Sequence, residues 1–207
     1  LGTNKFASSI GTFTASLRFI KGHQVNFKVA AVASVAALIG SPLGAKLAMA
    51  IDEKYLRYVL LIAVPIIAVM ILRKKDFGQE IEHEPPILKS VLLSIAIGFS
   101  LGMYDGFFGP GMGTFLTLLL NPVLGLSILR SCGTTKIVNL SSNVAALVTY
   151  ALSGNVWFQI GIQCTIFSIL GNWVGAGLAL KKGVKIVRPI MIVTMTLLLI
   201  KIATEMF

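Results

Sequence analysis

Two lysines in this chain stand where lysine is rare, inside apolar runs and each behind a matching short motif. Lys5 follows Gly2-Thr3-Asn4, and Lys136 follows Gly133-Thr134-Thr135. Polar residues recur beyond each: Ser8, Ser9 and Thr12 after Lys5, and Asn139, Ser142 and Asn143 after Lys136. At helical spacing Lys136, Asn139 and Asn143 share one face. An ammonium with amide donors beside it can replace the hydration shell of a small anion. The competing use of such a lysine is to snorkel to the membrane interface from the start of a helix.

A single acidic residue, Asp105, falls within an apolar run; Asp52, Glu53, Asp76, Glu80, Glu82, Glu84 and Glu205 sit in connections or at the end. A carboxylate at membrane depth costs about 2.5–3.5 kcal/mol on insertion scales, so it marks a pathway or has a partner. Capping a helix near the interface is its plainer use. Asp105 opens the stretch DGFFGPGMGTF, residues 105–115, where Gly106, Gly109, Gly111 and Gly113 with Pro110 cannot sustain a regular helix. Broken backbone at membrane depth is tolerated where it is buried in protein or lines a cavity. It aims backbone N–H groups from the start of the following half-helix, a ready anion site. The alternative is a tight helix crossing built on small residues. The candidate substrate-binding set is Asn4, Lys5, Ser8, Asp105, Gly106, Gly109, Gly111, Gly113, Thr114, Thr135, Lys136, Asn139 and Asn143. In it Asp105 would neutralise an unoccupied site or carry a coupled proton.

The elements that must hold these residues are read from composition and hydropathy. Of 207 residues, 56% are hydrophobic and 13% charged, and mean hydropathy is +0.87. That leaves too little polar surface to cover a soluble particle, so lipid must solvate part of the exterior. Apolar runs of spanning length lie near 4–20, 29–50, 56–72, 87–104, 113–129, 133–151, 157–180 and 186–204. The run 113–129 is interrupted by Asn121-Pro122 and could be broken or re-entrant. The expected fold is all-α, a polytopic transmembrane helix bundle. The net charge of +10 sits mostly in short connections, as topogenic charge rather than a nucleic-acid surface, so no nucleic-acid partner is expected. Cys132 and Cys164 read as packing residues, and His23 and His83 lie in polar connections. No metal or other cofactor is expected. Neither paired acids nor a Ser/His couple supports an enzyme, and no P-loop or nucleophile elbow is present.

The chain repeats itself. An ungapped shift from Gly2 to Gly133 lays residues 2–72 on 133–203, matching Lys5 with Lys136, Phe27 with Phe158, Gly40 with Gly171, Gly44-Ala45 with Gly175-Ala176, and Arg57 with Arg188. The division is repeat one at 1–72, an aqueous linker RKKDFGQEIEHEPP at 73–86, and repeat two at 87–207. Stretch 87–132 has no counterpart, so roughly the first 40–45 residues of repeat one are expected to be missing. Gly40-Ser41-Pro42 and Gly171-Asn172-Trp173 suggest a second pair of loosened helices, while Gly175 and Gly177 suggest close packing. Lys and Arg place the connections 18–28, 73–89 and 181–188 in the cytoplasm. Eight crossings put five between 18–28 and 152–156, which makes the repeats inverted; a re-entrant 113–129 would make them parallel.

GFSLGMYDGFFGPGMGTFL, residues 98–116, resembles a signature of the TauE/SafE family of sulfite-exporter-like permeases. LGTNKFASSIGT (1–12), TTKIVNLSSNV (134–144) and GVKIVRPI (183–190) resemble other segments of that family. The resemblance covers nearly the whole chain. It implies transport of small sulfur-containing anions such as sulfite, thiosulfate or sulfonates across a bacterial plasma (inner) membrane. The family's first Asp/Gly-rich motif is absent here, so half of a pseudo-symmetric site would be out of view. The expected partners are a small anionic substrate and membrane lipid, with a homo-oligomer left open. A passive anion channel and a non-transporting scaffold or sensor are the alternatives to a secondary transporter.

Overall fold

The structure is a computed structural model that describes residues 1–51 and 85–204. The expected span 56–72 and nearly all of the linker 73–86 lie outside the described residues. Within them the chain forms helices α1 (Gly2–Lys21), α2 (Phe27–Ala50), α3 (Ile87–Phe107), α4 (Met112–Leu124), α5 (Ile128–Leu152), α6 (Phe158–Lys182) and α7 (Val184–Thr204), and no strand. Caps fix two of the starts: Asn26 accepts from the Val29 N–H (3.2 Å) and Ser127 from the Arg130 N–H (3.3 Å). Among the described helices, α2, α3 and α6 are each long and apolar enough to cross a membrane.

Helix directions follow from the neighbours of small residues. A Cβ on Gly98, Gly102 or Gly106 of α3 would meet Ala33, Ala37 or Ser41 of α2, and one on Gly40 or Gly44 would meet Phe99 or Met103. Both sequences of contacts rise together, so α2 and α3 are parallel, joined by a seam of small residues at four-residue spacing. Without a hydrophobic drive between helices in lipid, close backbone approach supplies the dispersion energy that holds such pairs. Helices α2 and α5 also run in parallel, from Asn26 at Thr134 through Ser41 at Ser142 to Met49 at Asn155. Helix α1 runs antiparallel to α5, with Gly2 at Tyr150, Lys5 at Asn143 and Phe19 at Gly133. It runs parallel to α6, with Phe6 on Phe158 and Gly22 on Leu180.

The run 113–129 is not one spanning helix. Thirteen residues give α4 a length of about 20 Å, short of the roughly 30 Å hydrocarbon layer. Gly125 then turns in the left-handed region (φ 68°), the Asn121 amide donates to the Leu126 carbonyl (2.7 Å), and α5 begins at Ile128. Ile87 at the start of α3 and Leu124 at the end of α4 line one crevice with Asn26 and Lys28 at the start of α2. So α3 and α4 enter and leave by the same face. Their junction lies level with Ser41 of α2 and Ser142 of α5, well inside the bundle. Helix α3 ends level with Ser41–Gly44 of α2, before the last residues of α2 at Ala50. Among the described residues, Lys21, Lys28, Lys89, Lys181 and Lys182 gather at the end of the bundle marked by Gly22, Ile87 and Gly183, and the uncharged turn at 153–156 lies at the opposite end.

Helices α2 and α6 run unbroken through Pro42 and through Gly171–Trp173, so the expected second pair of loosened helices is absent. Gly177 packs against the Arg18 guanidinium, whereas a Cβ on Gly175 would meet nothing within 4 Å.

Candidate functional site

The break in the α3–α4 hairpin is shorter than the glycines suggest. Helix α3 keeps Gly106 and Phe107, and α4 starts at Met112 and includes Gly113. Non-helical backbone is confined to 108–111, where Gly109 (φ 95°) and Gly111 (φ 85°) take conformations that need glycine. The Tyr104 hydroxyl donates to the Pro110 carbonyl (2.7 Å) and pins the turn. No side chain caps the α4 N-terminus.

Asp105 sits in the last turn of α3 before this break. Its Oδ1 accepts from Lys5 Nζ at 2.8 Å, with side-chain exposures of 3% and 2%. Its Oδ2 accepts from the Ser142 hydroxyl at 2.6 Å. Lys5 Nζ also donates to Asn143 Oδ1 (3.1 Å), and Asn143 donates to Asn139 (3.0 Å). The groups around Asp105 are tied down too: the Ser41 hydroxyl donates to the Ser142 carbonyl (2.7 Å), and the Tyr150 hydroxyl to the Gly106 carbonyl (2.9 Å). Among the described residues Lys5–Asp105 is the one ion pair. The sequence offered capping as the plainer role for Asp105; the carboxylate instead holds a lysine 100 residues away in the chain.

Lys136 is placed differently. Its ammonium donates to Asn172 Oδ1 (3.1 Å), and no carboxylate of the described residues pairs with it. Asn172 is in turn held by the Ser168 carbonyl (3.0 Å). Lys136 therefore lies inside the protein rather than reaching to an interface.

Two cavities meet at this lysine. A polar cavity of about 230 Å3 is bordered by Asn4, Lys5, Ser8, Asp105, Gly109, Lys136, Asn139 and Asn143, together with Thr12 and Asn172. A larger one, about 500 Å3, is bordered by Gly109, Gly111, Gly113, Thr114, Thr135, Lys136 and Asn139, and continues past Phe19 and Val187. The first turn of α4 thus faces the larger cavity beside Lys136. Thr135 is held there by Thr117 (3.2 Å between hydroxyl oxygens). Twelve of the thirteen candidate residues border one cavity or both. Gly106 borders neither; it packs on Ser41 in the α2–α3 seam. Sequence reasoning missed Asn172 as a functional partner, having grouped it with helix-loosening residues. The signal was its repeat position: it matches Ser41, which supports Ser142 and through it Asp105.

Apolar helices of membrane length surround a broken hairpin and two interior lysines, the architecture of a multi-pass membrane protein. The chain belongs to the family described as Sulfite exporter TauE/SafE, whose profile matches residues 1–202. It is 30% identical over 193 residues to a probable membrane transporter protein of Haemophilus influenzae, covering 93% of this chain and 75% of that one. It is 30% identical over 207 residues to probable membrane transporter protein ORF9 of Sinorhizobium sp (99% and 78% covered). It is 28% identical over 193 residues to probable membrane transporter protein YfcA of Escherichia coli K12 (93% and 71%). No solved structure matches the chain.

Proposed function

We propose that the chain is a secondary transporter of small, sulfur-containing anions, and that the anion is held at Lys136 between the two cavities. The supporting observation is the difference between the lysines: Lys5 is neutralised by Asp105 at 2.8 Å, whereas Lys136 has a neutral amide as its partner and faces both cavities. An interior cation without a counter-ion favours an anion as ligand. Asn139 contributes an amide, and the uncapped first turn of α4 contributes N–H groups and the positive end of its dipole. Gly109 and Gly111 let the backbone come close.

On this reading the two halves are inverted repeats. Helices α1 and α5, equivalent under the Gly2-to-Gly133 shift, run antiparallel. Helices α2 and α6 are equivalent too, and α2 follows the direction of α5 while α6 follows that of α1. The basic face is cytoplasmic. The polar cavity then lies toward the outside, near Asn4, and the larger one toward the cytoplasm, near Phe19 and Val187.

The test is thermal stabilisation of purified protein by sulfite, thiosulfate, sulfoacetate and taurine, paired with liposome flux. Lys136→Gln removes the charge but keeps a donor. A charge-assisted hydrogen bond contributes about 1.5–3 kcal/mol, so affinity should fall roughly 10- to 150-fold. A Lys136→Gln protein that binds and transports as the parent does would refute the site.

A further inference from the structure

We propose that the Lys5–Asp105 pair couples anion movement to proton movement: an anion that draws Lys5 away leaves the Asp105 carboxylate to bind one proton, and the anion's departure restores the pair. This rests on the reading that the cavities carry an anion, and adds the coupling ion to it.

The geometry leaves Asp105 few other ways to be neutralised. From α1 it faces Lys5 on Oδ1. From α5 it faces the Ser142 hydroxyl on Oδ2, while the Tyr150 hydroxyl of the same helix is committed to the Gly106 carbonyl. From α2 the Ser41 hydroxyl is committed to the Ser142 carbonyl. On α3 itself the Tyr104 hydroxyl is committed to the Pro110 carbonyl. Lys136 borders the same cavity but is held by Asn172. With Lys5 engaged elsewhere, Asp105 would be a 3%-exposed carboxylate facing a single neutral donor. An unpaired buried charge of that kind is costly enough to take a proton instead. Lys5 can be approached from the polar cavity that Lys136 also borders, and two of its three N–H groups are used, on Asp105 and Asn143, which leaves one.

The charge balances. The resting pair is one ammonium and one carboxylate. The loaded state is one ammonium, one monoanion and one neutral carboxyl, with the proton drawn from the water that the cavity meets. No covalent bond other than O–H forms or breaks, and Lys136 takes no part in this balance. Each monoanion then crosses with about one proton, an electroneutral symport.

The experiment uses liposomes of the purified chain with an internal pH-sensitive dye and the membrane potential clamped by valinomycin and potassium. Methanesulfonate and thiosulfate are the probes, because neither carries a titrating proton near neutral pH. Isotope exchange of the same anion is measured in parallel. The expected result is internal acidification driven by an inward anion gradient, at about one proton per methanesulfonate charge moved. For Asp105→Asn the ratio of protons to anions should fall to about zero whatever its residual rate, and Asp105→Glu should restore part of it. Anion exchange with no proton movement in the unmodified protein would overturn the coupling while leaving transport standing. No exchange of either anion would overturn the transport reading and the coupling with it. The result on the unmodified chain decides the matter even if a variant fails to fold.

Discussion

Lys5→Met keeps the length of the side chain and deletes its charge, which strands Asp105. The Nζ–Oδ1 separation of 2.8 Å gives a Coulomb attraction of about 6 kcal/mol at an effective dielectric near 20. Holding both ions out of water costs several kcal/mol each, so the pair as a whole is worth little net stability. Removing one partner is another matter, because the survivor keeps its desolvation and loses its compensation. A loss of about 3–5 kcal/mol is expected for Lys5→Met. Asp105→Asn should lose less, since Lys5 keeps Asn143 and gains an amide oxygen in place of the carboxylate. The double variant has no stranded charge and should recover to within about 1–2 kcal/mol of the parent. Unfolding of the four proteins in one detergent, followed by fluorescence of Trp157 and Trp173, closes the double-mutant cycle. At this chain length 3–5 kcal/mol corresponds to roughly 6–20 °C in melting midpoint. If the single losses add up to that of the double variant within about 0.5 kcal/mol, the two side chains do not interact and the ion pair is not a feature of the folded protein.

Two further predictions test the seam and the inner cavity. A Cβ at Gly102 would stand 2.6 Å from Ala37 Cα, so Gly102→Leu should separate α2 from α3 and sharply lower the yield of folded protein; Gly175→Ala meets nothing within 4 Å and should gain about 0.5–1 kcal/mol in melting experiments. Cys132 lies one turn before Lys136 and borders the larger cavity, while Cys164 is exposed on α6. In a Cys164→Ser background, a charged methanethiosulfonate reagent applied from the basic face should label Cys132, and sulfoacetate should slow it severalfold; equal labelling with and without sulfoacetate would separate the cavity from the anion pathway.

The helices were legible because hydropathy and length fix them almost without tertiary help: α1, α2, α3, α5, α6 and α7 lie within a few residues of the apolar runs, α5 starting five residues early. The run 113–129 misled because Leu124 and Leu126 flank Gly125, so hydropathy stays high across a turn that a left-handed glycine and the Asn121 side chain create. The four glycines of 105–115 look alike in sequence but do different work. Gly109 and Gly111 take positive φ, whereas Gly106 and Gly113 are helical, the first because α2 packs against it. Asp105 was expected to neutralise the empty site, but that it does so at Lys5 rather than Lys136, across 100 residues, could not be read: one sequence carries no record of which distant side chains meet. Yet both residues were legible as candidates, since a charge inside an apolar run must find compensation somewhere.

The duplicated lysines carry the last step. They occupy the same position in each half, yet one is compensated by a carboxylate and the other by an amide. The partners follow the repeat as well: position 41/172 is Ser41 in the first half, bracing the serine that caps Asp105, and Asn172 in the second, bracing Lys136 directly. Two equally bare lysines would hold an anion too firmly to release it, and two neutralised ones would not attract it. On the proposed function, with one of each, a standing positive charge at Lys136 would draw the anion in. The Lys5–Asp105 pair beside it would then open to share the load and close to expel it. On this reading Asp105 governs release more than capture. Asp105→Asn should therefore lower net flux by a larger factor than it lowers affinity in the thermal-shift titration, and equal factors in the two measurements would contradict that division of roles.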